Sequence, residues 1–347
     1  MSNLRILCFS IGLLVLLAMP FWLPFVPGYS PKDKWLEVGK GAGNYHFFAR
    51  EIYEKKGDID ILILGHSLIW NALDAGVIED ALSKKLGRKA TVLNFGSNWQ
   101  QEDVLYLLLK ELTDHRRVKM LIIDMPVNLE WPTPHKTAPY WWIMGEHMKE
   151  YADMDTSTFL KLYAVSILGM PRHVLNFIRP TQMLSEEDSK RGSRNGELLT
   201  KLGYKDAPYK PPSRNIVLHI PPEDVIYSDA TKSHYEFTET KVNSYTAFFL
   251  RKIFETAAKN HIHVVVTSIP ESFQVRNSFS REITDYRNIY PGYIDLASLA
   301  PQQLYSGMSD DEVHEYFYDN HMNINGTALY TNTMMPTILE LYGRTKP

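Results

Sequence analysis

The sequence predicts an α/β fold built on a parallel β-sheet, and two observations support this prediction. Three apolar runs, each long enough for one buried strand, recur along the chain: Ile59–Leu64, Ala90–Phe95 and Val118–Ile123. Helical patterns lie between these runs, and strands that alternate with helices form right-handed βαβ units. The chain of 347 residues is long enough for one large core or two modest ones.

The connecting elements follow from local patterns. The first apolar run stops at Gly65, which leads to a turn and then to a helical pattern at about residues 74–86. Glu102–Thr113 is amphipathic, with five leucines on a wide apolar face, and joins the second run to the third. Later patterns predict a helix, two strands and a final helix that is kinked or restarted at Pro336: Val242–Asn260, Ile262–Ile269, Tyr293–Leu296 and Gly326–Leu341.

The N-terminus carries a long apolar stretch. Ile6–Val26 follows Arg5, and about 20 apolar residues suffice to cross a bilayer. We therefore expect a signal anchor and transmembrane helix at residues 1–28, with the rest of the chain on the extracytoplasmic side. A cleaved signal peptide is one alternative, and a core helix of a cytosolic protein is another. Residues 29–56 are interpreted as a linker and approach helix, and residues 57–347 as the main domain.

A different pattern interrupts this domain at residues 131–240, which we interpret as an insertion. Tyr140–Ile178 is apolar and is predicted to be helical with breaks at Gly169 and Pro171. Its part Phe159–Ile178 fits either core packing or contact with a membrane. Thr181–Tyr235 is polar and rich in proline, as in loops that form lids over the active sites of α/β enzymes.

Composition excludes several classes of function. The net charge of −3, without a basic stripe or a Gly-rich phosphate loop, gives no support to a nucleic-acid partner. Cys8 is the only cysteine, so neither a disulfide framework nor a thiolate zinc site can be built within the chain. We expect no metal and no organic cofactor.

Ser67, Asp319 and His321 are the candidate catalytic residues. A serine hydroxyl is a weak nucleophile and needs a base, which histidine supplies when a carboxylate orients its ring. In an extended segment, residues two apart point the same way, so Asp319 and His321 would face one site. Each residue also has a purely structural interpretation, since Ser67 and Asp319 can cap helices and His321 can precede one.

The candidate oxyanion hole comprises the backbone N–H groups of Ser67 and Gly96, together with the side-chain amide of Asn128 or Asn98. Such donors stabilise the negative charge of a tetrahedral intermediate. Gly96 follows the second predicted strand and Asn128 the third, so both would lie at the edge of the sheet where Ser67 lies. As an alternative, Gly96 is only a turn glycine.

The order of these residues resembles the SGNH (GDSL-type) hydrolase superfamily. The matching sequence segments are ILILGHSLIWNALD, VLNFGSNWQ and YDNHMNINGTALY. The resemblance implies a three-layer α/β/α, flavodoxin-like sheet and the roles given above for Ser67, Gly96, Asn128 and the Asp319/His321 pair. Three features depart from the family pattern. His66 replaces the usual acidic residue, residues 124–128 replace Gly-x-Asn, and Asp-x-His replaces Asp-x-x-His.

Asp-x-His also occurs in a branch that resembles alginate-type O-acetyltransferases and the membrane-anchored D-alanyl-lipoteichoic acid transfer protein. This resemblance implies a membrane-anchored serine acyltransferase or esterase that acts on small acyl groups, such as acetyl, of cell-envelope glycan or lipid. A membrane-bound O-acyltransferase is the partner it implies. Transfer and hydrolysis both stay open. The alternative is a catalytically inactive scaffold for such an acyltransferase or for a polysaccharide export complex.

Overall fold

A computed structural model gives the architecture of the chain. The structure describes residues 3–22, 32, 45–96, 101–124, 141–142, 150–178, 226–227, 244–267, 269, 293–295, 308–318 and 321–344. Most of the predicted insertion, including nearly all of the predicted lid at 181–235, lies outside these residues, as do Asn98, Asn128 and Asp319.

A six-stranded sheet forms the centre of the molecule. Its strands are β1 (Ile59–Leu64), β2 (Val92–Asn94), β3 (Val118–Asp124), β4 (Ile226–Tyr227), β5 (His263–Thr267) and β6 (Ile294–Asp295). They lie in the order β2-β1-β3-β5-β6-β4, and all neighbouring strands are parallel except β6 and β4. The predicted α/β class with a parallel sheet is confirmed. The strands β2 and β5 are each three residues shorter than the apolar runs that predicted them.

Nine helices accompany the sheet in the described parts of the chain. They are α1 (Asn3–Trp22), α2 (Tyr45–Tyr53), α3 (Ser67–Ala72), α4 (Ala75–Leu86), α5 (Glu102–His115), α6 (Thr156–Ile178), α7 (Ser244–Lys259), α8 (Asp310–His314) and α9 (Ile324–Arg344). A single 3-10 turn lies at Tyr151–Asp153. Between α8 and α9 two short strands, β7 (Phe317–Tyr318) and β8 (His321–Met322), pair antiparallel.

Side chains alternate between the two faces of the sheet and build a core on each. Leu62 and Leu64 belong to one core, which is completed by apolar side chains of α2, α5, α6 and α7. Ile61 and Ile63 belong to the other, which is completed by α3, α4 and α9. Helices therefore cover both faces, which explains why the strands of this sheet are almost continuously apolar.

Several helices differ from the predictions. The residues after β1 do not form a turn up to residue 74, because α3 begins at Ser67 and ends at Ala72. A new helix then begins where the Asp74 side chain accepts hydrogen bonds from the N–H groups of Gly76 and Val77. The helix α6 is continuous, so the predicted breaks at Gly169 and Pro171 are wrong. In the first half of α6, Leu162 packs into the sheet core, and this burial stabilises the helix there independently of local propensity.

The final helix is longer than predicted. It begins at Ile324, two residues before the expected start, and continues through Pro336 to Arg344. Asn323 explains the earlier start, because its side chain accepts hydrogen bonds from the N–H groups of Asn325 and Gly326.

The N-terminal helix packs against α6. The Tyr163 hydroxyl donates a 2.7 Å hydrogen bond to the carbonyl oxygen of Leu17. The ring of Phe21 lies 5.7 Å from that of Tyr163 and 5.5 Å from that of Trp142. Among the residues described, no helix combines the length and the apolarity that crossing a membrane requires.

Asp60 ties the C-terminal helix to the sheet. This buried carboxylate accepts hydrogen bonds from the Arg88 guanidinium at 2.6 and 3.0 Å, from the Thr91 N–H and from the Tyr342 hydroxyl of α9. Lys119 lies 3.3 Å away. Burial alone would raise the pKa of Asp60, but the hydrogen bonds from Arg88, Tyr342 and Thr91 outweigh it and hold that pKa well below its usual range.

Candidate active site

Ser67 lies at the carboxyl edge of the sheet. The strand β1 ends at Leu64, and two residues later the chain enters α3 with Ser67 as its first residue. A Cβ atom on Gly65 would lie 2.6 Å from Cγ2 of Ile69 and 3.0 Å from Cβ of Asp124. Only glycine allows so tight a passage from strand to helix, which fixes where the serine emerges.

The site lies at the point where the order of the strands in the sheet reverses. From β1 the chain proceeds to β2 on one side and to β3 on the other. In open α/β sheets, ligands bind outside the carboxyl ends of strands at such a switch point. Ser67 follows β1 and Asp124 is the last residue of β3, so both lie there.

His321 contacts Ser67, although 254 positions separate the two residues in the sequence. Its Nε2 lies 2.8 Å from the Ser67 Oγ, a normal distance for a hydrogen bond. His321 begins β8, where it pairs with Tyr318 of β7, and β8 packs against α3. Both side chains are half-buried. The arrangement can transfer a proton from the hydroxyl to the imidazole.

Asn71 holds the backbone of the serine, and sequence reasoning missed it. Its side-chain amide donates a 2.6 Å hydrogen bond to the carbonyl oxygen of Ser67. In turn the Thr327 hydroxyl of α9 donates to the carbonyl oxygen of Asn71. The sequence contained one signal for this contact. Ser67 and Asn71 are four residues apart, a spacing that places them on adjacent turns of a helix.

His66 and Asp124 form a histidine–carboxylate pair beside the serine. The Nδ1 of His66 lies 3.2 Å from Oδ2 of Asp124, whose side chain is 1% exposed. The other oxygen of Asp124 accepts a 3.3 Å hydrogen bond from the N–H of Ile269, just after β5. The sequence marked His66 only as a departure from a family pattern. It gave Asp124 no role, although a carboxylate at the end of an otherwise apolar strand was a usable signal.

Two further acids lie behind this pair. Glu102 and Asp103, in the first turn of α5, are 4% and 0% exposed. Burial raises the pKa of Glu102, and the charges of Asp103 and Asp124 add to that effect, whereas His66 opposes it. Burial, with the nearby charge of Asp103, likewise raises the pKa of Tyr245 well above its usual range. Buried acidic groups of α5 therefore lie close enough to His66 and Asp124 to interact with them electrostatically.

Gly96 lies next to α3, but its N–H already donates a hydrogen bond. That N–H donates a 2.8 Å hydrogen bond to Oδ1 of Asn94, whose amide donates to the carbonyl oxygen of Leu73. A Cβ atom on Gly96 would lie 2.6 Å from Cβ and 2.8 Å from Cα of Trp70. The glycine allows β2 and α3 to approach closely, and its role as an oxyanion donor stays a prediction.

The remaining predicted site residues, Asp319, Asn128 and Asn98, lie outside the described residues. The described strands on either side of Asp319, β7 ending at Tyr318 and β8 beginning at His321, pair antiparallel. The triad role of Asp319 remains a prediction.

Within the described ranges, no group of three or more His, Cys, Asp or Glu side chains is arranged to hold a metal ion. Comparison of the chain with protein-family models, with curated proteins and with solved structures found no match in any of the three.

Proposed function

We propose that this protein is a serine acyltransferase or esterase with an SGNH-like fold. The observation that carries the proposal is the 2.8 Å contact between His321 and Ser67, made by residues from opposite ends of the domain. The five parallel strands also follow the flavodoxin-like order 2-1-3-4-5 when they are numbered among themselves, and the pair lies at the switch point of that order. The residue order of the SGNH superfamily supplies the specific reaction class.

The first half of the reaction forms an acyl-enzyme. The Ser67 Oγ attacks the carbonyl carbon of an acyl ester or thioester, while its proton passes to Nε2 of His321. The backbone N–H of Ser67 is placed to contribute to stabilising the resulting oxyanion. When the tetrahedral intermediate collapses, the bond from carbonyl carbon to leaving-group oxygen or sulfur breaks. His321 gives its proton to that leaving group.

The second half returns the enzyme to its starting state. A hydroxyl group of the acceptor gives its proton to His321 and attacks the acyl carbon, and the bond to Ser67 Oγ breaks. The proton then returns from His321 to Ser67. With a glycan or lipid hydroxyl the result is transfer, and with water it is hydrolysis. A small acyl group such as acetyl suits a half-buried serine, and no cofactor takes part in this cycle.

The proposal places this chemistry at the outer face of a membrane. The eleven exposed large apolar side chains of α1, such as Phe9 at 71% and Leu4 at 68%, support attachment through that helix. A membrane-bound O-acyltransferase is the proposed donor-side partner, and a cell-envelope glycan or lipid the acceptor. Cell fractionation tests the location, since recovery of the intact chain in the soluble fraction would contradict it.

A fluorophosphonate probe tests the reaction, because it labels only serines activated by a base. We expect the folded protein to react at Ser67 and to hydrolyse short-chain aryl esters. Ser67→Ala and His321→Ala should both abolish labelling. Ser157→Ala and His115→Ala, at exposed positions away from the site, are the matched controls and should label normally. A folded protein that neither labels nor turns over ester would instead support the inactive scaffold.

A further inference from the structure

Exposed apolar side chains are concentrated on two neighbouring helices. Of the fifteen large apolar side chains exposed in the described parts of the chain, eleven lie on α1 and two on α6. The other two, Val77 and Ile324, are isolated on α4 and α9. Scattered single residues are normal on a protein surface, but a continuous apolar patch marks a contact with another apolar phase.

The helix α6 is apolar on the side that should be polar. Thr158, Leu162 and Ser166, spaced by four residues, are fully buried, and Leu162 belongs to the sheet core. On the opposite side, Leu160, Ala164 and Leu168 are exposed at the same spacing. A surface helix in water carries polar side chains on that stripe. Leu168 is 79% exposed, so nothing in the described structure covers the stripe.

The two helices form one surface, which we name the α1/α6 surface. It comprises the exposed apolar side chains of Asn3–Trp22 together with Leu160, Ala164 and Leu168. The Tyr163 hydroxyl bonds to the Leu17 carbonyl, and the ring of Phe21 packs against that of Tyr163. Any apolar phase that receives α1 is therefore next to α6.

The charges of these helices indicate which phase this is. Neither Asn3–Trp22 nor Thr156–Ile178 contains an aspartate or a glutamate, although acidic residues outnumber basic ones in the whole chain by 40 to 37. Their charged residues are Arg5, Lys161 and Arg172. Within the two helices the apolar stripes are accompanied only by cations, although Asp153 and Asp155 precede α6. This distribution suits an anionic lipid surface, where phospholipid headgroups attract the cations.

We propose that the α1/α6 surface lies against an anionic lipid bilayer, with α6 in the plane of the interface. The stripe Leu160–Ala164–Leu168 then faces the boundary between headgroups and acyl chains. This proposal rests on the membrane attachment proposed for α1. It adds a second contact, which would fix the orientation of the sheet relative to the membrane. A helix of 23 residues is about 35 Å long, so it holds that orientation over a substantial distance.

Site-specific fluorescence on the full chain tests the proposal. Cys8 is replaced by serine, and Leu168→Cys is labelled with the polarity-sensitive dye NBD. Ala164→Cys, a smaller change in side-chain size, is labelled in the same way as a second position on the stripe. Val77→Cys, which reports an exposed apolar position on α4, is the matched control. Each protein is bound to vesicles of phosphatidylcholine with or without phosphatidylglycerol, and to vesicles whose acyl chains carry a nitroxide quencher.

At positions 168 and 164 we expect a blue shift and quenching by the nitroxide, stronger with phosphatidylglycerol, and neither effect at position 77. Vesicle-bound protein without a shift at 168 and 164 would overturn the proposal. A shift that grows with protein concentration before vesicles are added would overturn it in favour of self-association. Failure to float with vesicles would overturn it together with the attachment of α1. Fluorophosphonate labelling of Ser67 in the same samples judges the chemistry separately.

Discussion

His66 positions the serine, because its ring connects the start of α3 to a buried carboxylate at the end of β3. We predict that His66→Leu, which breaks this contact, slows fluorophosphonate labelling about 10²-fold, the cost of a misplacement of about 1 Å. His66→Asn should retain most of the rate, since the amide nitrogen of asparagine takes the place of Nδ1. If His66→Leu and His66→Asn have equal labelling rates at matched denaturation midpoints, the positioning role of His66 would be contradicted.

Gly96 is required for close packing. We predict that Gly96→Ala destabilises the protein by about 1–3 kcal/mol, the usual cost of overpacking, because the new methyl group meets the backbone and Cβ of Trp70. Gly343→Ala is the control, since there the nearest group is the flexible end of Lys85 at 3.4 Å. Denaturation in urea measures both. An unchanged midpoint for Gly96→Ala would show that β2 and α3 can separate at no cost.

At the scale of elements, α9 connects the two helices that follow the first strand. The Thr331 hydroxyl donates to the carbonyl oxygen of Ala72 at 3.2 Å and accepts from the N–H of Asp74 at 3.0 Å, so one side chain bridges the break between α3 and α4. We predict that Thr331→Val costs about 1–3 kcal/mol, because it leaves the Asp74 N–H without its acceptor. Thr113→Val, on α5, is the control and should cost less. Equal losses in a denaturation series would contradict this bridging role.

The opposite end of α9 is connected through Asp60, which makes that contact sensitive to acid. The folded-state pKa of Asp60 lies below its unfolded value, so its contribution is complete above the ordinary aspartate pKa of about 3.9 and is lost as the pH falls below it. We predict that Asp60→Asn destabilises the protein by about 1.5–3 kcal/mol at pH 7 and flattens the stability curve below pH 4. Asp80→Asn, at an exposed position of α4, is the control. It should change neither the stability at pH 7 nor the dependence of stability on pH below pH 4. Parallel curves of unfolding free energy against pH for wild type and Asp60→Asn would contradict the prediction.

At the scale of the whole molecule, the N-terminal helix is peripheral to the core. Neither core includes a described side chain of α1, and this helix contacts α6 and Trp142. We predict that a chain beginning at residue 29 no longer sediments with membranes, yet keeps its denaturation midpoint and the labelling of Ser67. Loss of folding in this shorter chain would support the alternative in which the first residues form a core helix.

Sequence reasoning was most effective where one local pattern sufficed. Apolar runs predicted the strands of the sheet, because burial on both faces leaves little choice of side chain. It was least effective where distant residues decide the outcome. Nothing in the local sequence shows that Thr327 of α9 donates a hydrogen bond to the carbonyl oxygen of Asn71. The continuity of α6 through Gly169 and Pro171 is another case, since the local breaking tendency of both residues predicted an end to the helix there.

The partners Ser67 and His321 are separated by most of the chain, and this has a consequence for synthesis. A ribosome completes β1 and the nucleophile long before it reaches β8. Under the proposed function, Ser67 lacks the imidazole that would activate it until residue 321 emerges. The nascent chain can therefore pass esters in its surroundings without reacting with them. Under the proposed function, acyl transfer or ester hydrolysis begins only when β8 brings His321 to Ser67, so the chain becomes active only after its synthesis is nearly complete.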